Sequence, residues 1–328
     1  MEQILLSIII PVYNAEAHIR RCIDSIHKQE FNTGSFEIIL INDGSKDKSL
    51  DIIKKVAETD LSIILINKNN EGPGIARNYG IKKARGQYLL FLDSDDFFET
   101  DSLKEILQKS IENKLDLHFF GSHIETPDGS MISKFQNYKN DILYNGIYVV
   151  KNGIEFSAVW NCLYSTTFIR TNHAEFIDSY TAEDVNFTMK LYPFAQRIMF
   201  SNTIVYHYTF NHLSINRGQS ADKHYKLAMG KMKAMNDIDQ RLASNFFPQD
   251  IKEIYKRMVN SFMIASLIEF LKKESNFTQK EIFHFLYKAK ENSIYPIKGR
   301  TLSWKSSIIG NILNIEALYY FLVRLIKR

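Results

Sequence analysis

Three polar motifs each close or directly follow an apolar, β-rich run, and this placement constrains the chain more than any other feature. Pro11-Val12-Tyr13-Asn14 ends the run Leu6 to Val12, Asn42-Asp43-Gly44-Ser45 follows Glu37 to Ile41, and Asp93-Ser94-Asp95-Asp96 follows Tyr88 to Leu92. Helical patterns separate the runs: Ile19, Cys22, Ile23 and Ile26 fall on one face, as do Leu50, Ile53 and Val56. A third run, Ile63 to Ile66, passes through Asn69-Asn70-Glu71-Gly72-Pro73-Gly74 into a helix ending near Arg85-Gly86. Strands alternating with helices specify βαβ units and a parallel sheet. Such sheets bind ligands beyond the carboxyl ends of their strands, so the three polar loops are expected to line one crevice.

Further along, residues 127 to 205 carry mixed, short β-like runs such as Arg197 to Val205, which are expected to complete the sheet. After Arg217 the pattern turns helical, with three- and four-residue apolar spacing over Tyr225 to Leu242 and Ile251 to Leu271. The reading is an α/β domain over 1–217 and a helical region over 218–328.

Composition excludes several classes. With 328 residues, 45% apolar and 24% charged, the chain is too hydrophobic to be disordered and long enough for a core without staples. Basic residues number 41 against 37 acidic ones, and the resulting +4 is too small and dispersed for a nucleic-acid binder. Two cysteines, Cys22 and Cys162, support neither a disulfide framework nor a cysteine zinc site, which suits a reducing cytoplasm. Ile4 to Val12 follows Glu2 and is broken by Pro11, so it reads as a strand and not as a signal core. Ile308 to Ile326 is interrupted by Asn311, Asn314, Glu316 and Arg324, so it is not expected to span a bilayer.

Each candidate site residue has a functional and a structural reading. Asp93 and Asp95 can point hard oxygen ligands at one divalent cation, or the run can be a solvated turn with Asp96 capping a helix. Asp43 can accept a nucleobase N–H beside the flat face of Tyr13, or form an Asx turn. Arg77, on the helix after Gly72-Pro73-Gly74, can serve an anion or stand on the surface. Glu183 and Asp184 can supply a general base or can simply start a helix. His173, His207 and His212 can contact a metal or phosphate, or pack.

Taken in order, Pro11-Val12-Tyr13-Asn14, Asn42-Asp43-Gly44-Ser45, Ala76-Arg77-Asn78, Gly86 and Phe91-Leu92-Asp93-Ser94-Asp95-Asp96 resemble the family-two inverting glycosyltransferases of the GT-A fold, of the bacterial surface-polysaccharide type. The likeness covers residues 5 to 100 and continues more loosely through Val159-Trp160-Asn161, Glu183-Asp184 and Tyr206 to Ile215. It implies a Rossmann-like, mostly parallel central sheet flanked by helices, with a nucleotide-sugar half (1–100), an acceptor half (101–217) and a helical C-terminal extension. It also implies a UDP-sugar donor held by Pro11, Tyr13, Asp43, Arg77 and Asp93. Mn²⁺ or Mg²⁺ would sit on Asp95 and Asp93 with His207, and Asp184, supported by Glu183, would be the base. Trp160 would offer an apolar face to a sugar, and Cys162 stands where the family often has a basic residue. The rivals are a metal-dependent nucleotidyltransferase and a non-catalytic sugar-binding or assembly protein on the same fold.

The expected acceptor is a glycan, a lipid-linked one in the bacterial case, at the inner face of the cell membrane. Near the C-terminus, Ile308, Ile312, Ile315, Tyr319, Leu322 and Ile326 read as one continuous apolar stripe. Lys298, Arg300, Lys305, Arg324, Lys327 and Arg328 stand near it against the single acid Glu316. Residues 302–328 thus read as an interfacial helix for an anionic bilayer, or as a helix packed on protein, and the oligomeric state stays open.

Overall fold

Seven consecutive residues of the first strand, β1 (Leu6–Val12), are all buried, the continuous apolar run of a strand covered on both faces. The computed structural model describes residues 3–29, 31, 34–156, 158–210, 221–244, 246–273 and 275–327. Those residues form two compact units. One comprises residues 1–178 and 187–211, the other 179–186 and 212–328. The boundary expected at 217/218, together with His212 and Arg328, lies outside the described residues.

In the first unit β1 is followed by α1 (Ile19–His27), β2 (Phe36–Asp43), α2 (Ser49–Ala57), β3 (Ile63–Lys68), α3 (Pro73–Lys83) and β4 (Tyr88–Phe91). Then come β5 (Phe97–Phe98), α4 (Leu103–Glu112), β6 (Leu117–Glu125), β7 (Met131–Lys134), α5 (Gly146–Lys151), β8 (Cys162–Ser165), α6 (Thr166–Thr171) and β9 (Ile198–Tyr208), while α7 (Glu183–Leu191) begins in the segment 179–186 of the other unit. One sheet takes the order β3-β2-β1-β4-β8-β6-β9-β5, with β7 added to β6. The pairs β3–β2, β2–β1, β1–β4 and β6–β9 are parallel and carry most of the register, while β8, β5 and β7 join antiparallel. This is the expected α/β sheet, and residues 127–205 do complete it through β7, β8 and β9.

Local chemistry explains the strand ends. β4 registers with β1 only as far as Ile9, so at Pro11 the strand is paired on one side, a setting that tolerates a missing N–H. At the opposite end, buried Glu37 accepts the Ser7 hydroxyl at 2.6 Å and the Arg85 N–H at 2.6 Å. A Cβ on Gly86 would lie 2.5 Å from the Ser7 nitrogen, so only glycine lets the chain enter β4 there. The α1 residues expected to be buried, Ile19, Cys22, Ile23 and Ile26, all are.

The second unit is helical: α8 (Ala221–Ala243), α9 (Gln249–Leu271), α10 (Gln279–Glu291), α11 (Trp304–Leu313) and α12 (Glu316–Ile326). Here one expectation fails. The apolar stripe is not continuous, because α11 and α12 meet at 86°. The Asn314 side chain donates to the Ile297 carbonyl and accepts its N–H, both at 2.8 Å, and the Tyr295 hydroxyl caps the Leu313 carbonyl at 2.8 Å. With the Leu313 carbonyl satisfied from outside and Asn314 tied to Ile297, α11 stops and the chain turns. Tyr319 is buried, its hydroxyl on the Leu267 carbonyl, whereas Ile308, Ile312 and Ile315 are exposed. No single described helix is long and apolar enough to cross a membrane.

Candidate active site

Beyond the carboxyl ends of β1 and β2 the two loops are laced together. The N–H groups of Asn14, Ala15 and Glu16 donate to Ser45 Oγ (3.2 Å), Ser49 Oγ (2.8 Å) and Asp47 Oδ2 (3.0 Å). In return, Asn14 Oδ1 accepts the Lys46 N–H at 2.8 Å and Glu16 accepts that of Lys48 at 2.9 Å. Asn14 itself takes φ 50°, which Asn tolerates. The neighbouring Tyr13 is left 45% exposed, its ring available to a flat ligand. Pro11 lies buried inside the strand beneath them.

Asp43, the last residue of β2, is buried and heavily engaged. Oδ1 accepts Lys68 Nζ at 2.5 Å and the Glu71 N–H at 2.9 Å, and Oδ2 accepts the Gly72 N–H at 2.8 Å. Lys68 also reaches Glu71 Oε2 at 2.8 Å. Burial alone would lower the Lys68 pKa, but its hydrogen bonds to Asp43 and Glu71 outweigh that and raise it. Gly44 follows at φ 72°, where a Cβ would lie 2.8 Å from the Asn70 nitrogen. Asp43 therefore fixes the loop that caps α3.

Pro73 starts α3 and Gly72 precedes it at φ 90°, so the helix opens directly on Asp43. One turn on, Arg77 is buried, lies 5.4 Å from the centre of the Phe176 ring and donates to Asp93 Oδ1 at 2.8 Å. A single helix thus carries the contact to the β2 carboxylate and the contact to the β4 carboxylate. Asn78, next in the motif, exchanges 2.8 and 2.9 Å hydrogen bonds with the backbone of Phe176, which is a packing role.

Asp93 and Asp95 are half-buried, while Asp96 is fully buried. Asp96 does not cap a helix. Its Oδ2 accepts the Tyr206 hydroxyl at 2.6 Å and its Oδ1 the Thr209 N–H at 2.7 Å, and the Tyr206 oxygen in turn accepts the Asp93 N–H at 3.2 Å. Burial, then the charges of Asp93 and Asp95, push the Asp96 carboxyl well above its ordinary pKa, against the lowering by Tyr206 and Thr209. From α1, Arg21 donates to the Asp95 carbonyl at 2.9 Å and to Thr209 Oγ1 at 2.8 Å, with its guanidinium 4.5 Å from the Phe97 ring centre.

His207 turns Nε2 to Glu99 at 2.7 Å and stacks on Phe97 with ring centres 4.6 Å apart, so only Nδ1 is left for a cation. Its hydrogen bond lowers the Glu99 pKa. Trp160 stacks on Tyr206 at 4.3 Å, backing the Asp93–Asp96 turn. His173 stands outside any strand or long helix, at φ 47° after α6. Glu183, buried, and Asp184, half-buried, form the first turn of α7, in the segment grouped with the helical unit. Sequence reasoning missed Lys68, Arg21 and Thr209 altogether. Lys68 had a signal, a cation at the end of β3 beside the Asn69–Gly74 loop, whereas Arg21 and Thr209 act through backbone geometry that no motif announces.

The donor set suits Mn²⁺ or Mg²⁺: Asp93 and Asp95 are hard oxygen ligands in a half-exposed turn whose backbone is held from behind. Among the described residues no three His, Cys, Asp or Glu side chains are grouped to hold an ion by themselves.

The chain matches the family model described as glycosyl transferase family 2 over residues 7–174. It is 32% identical to EpsH of Bacillus subtilis (strain 168) over 219 residues, covering 65% of this chain and 63% of that protein. It is 26% identical to the poly(ribitol-phosphate) beta-N-acetylglucosaminyltransferase TarS of Staphylococcus aureus (strain MW2), over 87% of this chain and 47% of TarS. The chain thus spans less than two thirds of the length of these relatives. The crystal structure of S. aureus TarS 1–349 in complex with UDP-GlcNAc superposes with a TM-score of 0.63 at 20% identity, covering 99% of this chain and 88% of that one. The mannosyltransferase PcManGT from Pyrobaculum calidifontis, in complex with GDP-Man and Mn²⁺, gives a TM-score of 0.54 at 12% identity, over 99% and 87%. At those identities the superpositions establish the fold.

Proposed function

The chain belongs to glycosyl transferase family 2 and has its GT-A fold, and from that premise we propose that it moves a sugar from a UDP-sugar to a hydroxyl of a lipid-linked glycan in surface-polysaccharide synthesis. The observation that carries the reading is α3, which opens against Asp43 and reaches Asp93 through Arg77, so that the Asp43 corner and the acidic corner share one helix. The uracil would lie on Tyr13 with its N–H toward Asp43, Pro11 would hold the floor, and Arg77 would position the diphosphate end. Asp93 and Asp95 would hold the divalent cation, which when bound neutralises charge on a departing diphosphate. Asp184 would take the acceptor proton with Glu183 orienting it, and displacement from the opposite face would invert the anomeric carbon. A lipid-linked acceptor places the reaction at the inner face of a membrane.

The nucleotidyltransferase rival fits the geometry poorly. Its phosphate loop after the first strand would need open N–H groups, and those of Asn14, Ala15 and Glu16 are all taken by Ser45, Ser49 and Asp47. The test is product analysis with a panel of UDP-sugars, Mn²⁺ and a glycan acceptor. Expected are UDP and an elongated glycan in equal amounts, with Asp184→Asn lowering transfer by about 10²- to 10⁴-fold and leaving donor binding intact. Release of sugar 1-phosphate, with the uridylyl group moved to the acceptor, would establish nucleotidyl transfer instead. Binding without any release would establish the non-catalytic reading.

A further inference from the structure

The bend between α11 and α12 changes what the C-terminal apolar residues can do. Taken together the two helices have the hydropathy and length of a membrane span, but they meet at 86°. Their 10 and 11 residues reach only about 15 Å each at 1.5 Å per residue, half of a bilayer core of about 30 Å. Neither can cross. Each nevertheless exposes an apolar face: Trp304, Ile308 and Ile312 on α11, at 70%, 52% and 48% exposure, and Leu318, Phe321 and Leu325 on α12, at 37%, 61% and 53%. Their spacings, four and four on α11 and three and four on α12, put each set on one side of its helix, away from buried Leu313 and from buried Tyr319 and Val323.

Charge selects the occupant. Lys305 lies beside Trp304, its Nζ 5.8 Å from the ring centre, and Lys298, Arg300 and Arg324 are exposed nearby in the sequence. The one acid between residues 298 and 327, Glu316, is neutralised by Lys290. A face that combines aliphatic side chains, a tryptophan and lysine or arginine, with its acid already paired, complements an anionic lipid surface. We propose that α11 and α12 form a two-helix foot that lies in the interfacial layer of an anionic bilayer, each helix embedding its exposed apolar side without spanning. The proposal rests on the reading of a lipid-linked acceptor and specifies the surface that would bring the enzyme to it.

The experiment is sedimentation of the full chain with phosphatidylcholine vesicles, with and without about 30 mol% phosphatidylglycerol. Binding is expected only with the anionic lipid, accompanied by a blue shift of tryptophan emission from Trp304, and is expected to fall severalfold as salt rises to about 1 M. Ile312→Ser with Phe321→Ser should reduce the bound fraction at least about fivefold, because each change replaces an apolar side chain that would be buried in the lipid. Lys305→Ser with Arg324→Ser, both at exposed positions, should weaken binding and flatten its salt dependence with the circular dichroism spectrum unchanged. Absence of vesicle binding, or binding indifferent to both pairs, overturns the proposal. So does a lipid-free dimer that Ile312→Ser with Phe321→Ser dissolves, since the face would then join two copies. UDP release to a soluble acceptor by the same variants is the separate readout. Its loss in the parent protein would overturn the transferase reading and leave the vesicle result standing.

Discussion

The two carboxylate corners of the sheet are built to opposite electrostatic plans. At the end of β2, Asp43 meets a buried ammonium and two backbone N–H groups within 2.9 Å, so its charge is matched inside the protein. Beyond β4, Asp93, Asp95 and Asp96 crowd one turn. Arg77 engages Asp93, and the charges of the two neighbours help drive the buried Asp96 toward its neutral form. Matched charge makes a rigid corner that holds the start of α3 in place. Three carboxylates in one turn make a site whose oxygen donors would suit a divalent cation. The corner that looks like a binding motif is thus also a structural clamp, and the corner that looks like a turn is the one whose charge calls for a ligand.

Removing a carboxylate should therefore do opposite things at the two corners. The largest effect is expected from Asp95→Ala, which should cut transfer by at least about 10²-fold, as loss of charge stabilisation at a developing anion commonly does. Mn²⁺-dependent UDP binding measured by calorimetry should disappear with it, while UDP binding without metal persists. A stable variant that keeps metal-dependent UDP binding would break the contrast. Asp43→Ala should instead unfold the protein more easily, by about 1 to 3 kcal/mol, since it removes the acceptor of the Glu71 and Gly72 N–H groups and one of the two carboxylates of Lys68. Denaturant titration reads this directly, and a loss under about 1 kcal/mol would mean that Glu71 and solvent suffice for Lys68.

The same contrast explains what could be read from the sequence. Strands β1 to β4 and the α1 face were legible because a buried parallel strand must be an uninterrupted apolar run and a covered helix must repeat every 3.6 residues. The site motifs were legible for the reason that they follow those strands. The illegible part lies in partners distant in the chain: Asp96 looked like a cap, yet its hydroxyl donor Tyr206 is 110 residues away. The C-terminal stripe misled because helical periodicity continues across Asn314 while the backbone does not, and the break is decided by Ile297 and Tyr295, which pattern alone does not bring near. Long-range hydrogen bonds to backbone groups leave no periodic trace.

Tyr206 gives the smallest and sharpest test of how the acidic corner is held. Its hydroxyl donates to Asp96 and accepts the Asp93 N–H, while its ring stacks on Trp160 and meets Phe98 edge to face. Tyr206→Phe keeps the ring and removes only the oxygen. That leaves a buried carboxyl and a backbone N–H each short of a partner, at a cost of about 1 to 3 kcal/mol in stability. If the hydroxyl also fixes the direction of the turn, Mn²⁺-dependent UDP binding should weaken by several-fold while UDP binding without metal stays level. Equal weakening in both conditions would show that the oxygen serves packing alone, and the acidic corner would then owe its geometry to Arg21 and Thr209, which hold the Asp95 carbonyl and Asp96 Oδ1 independently.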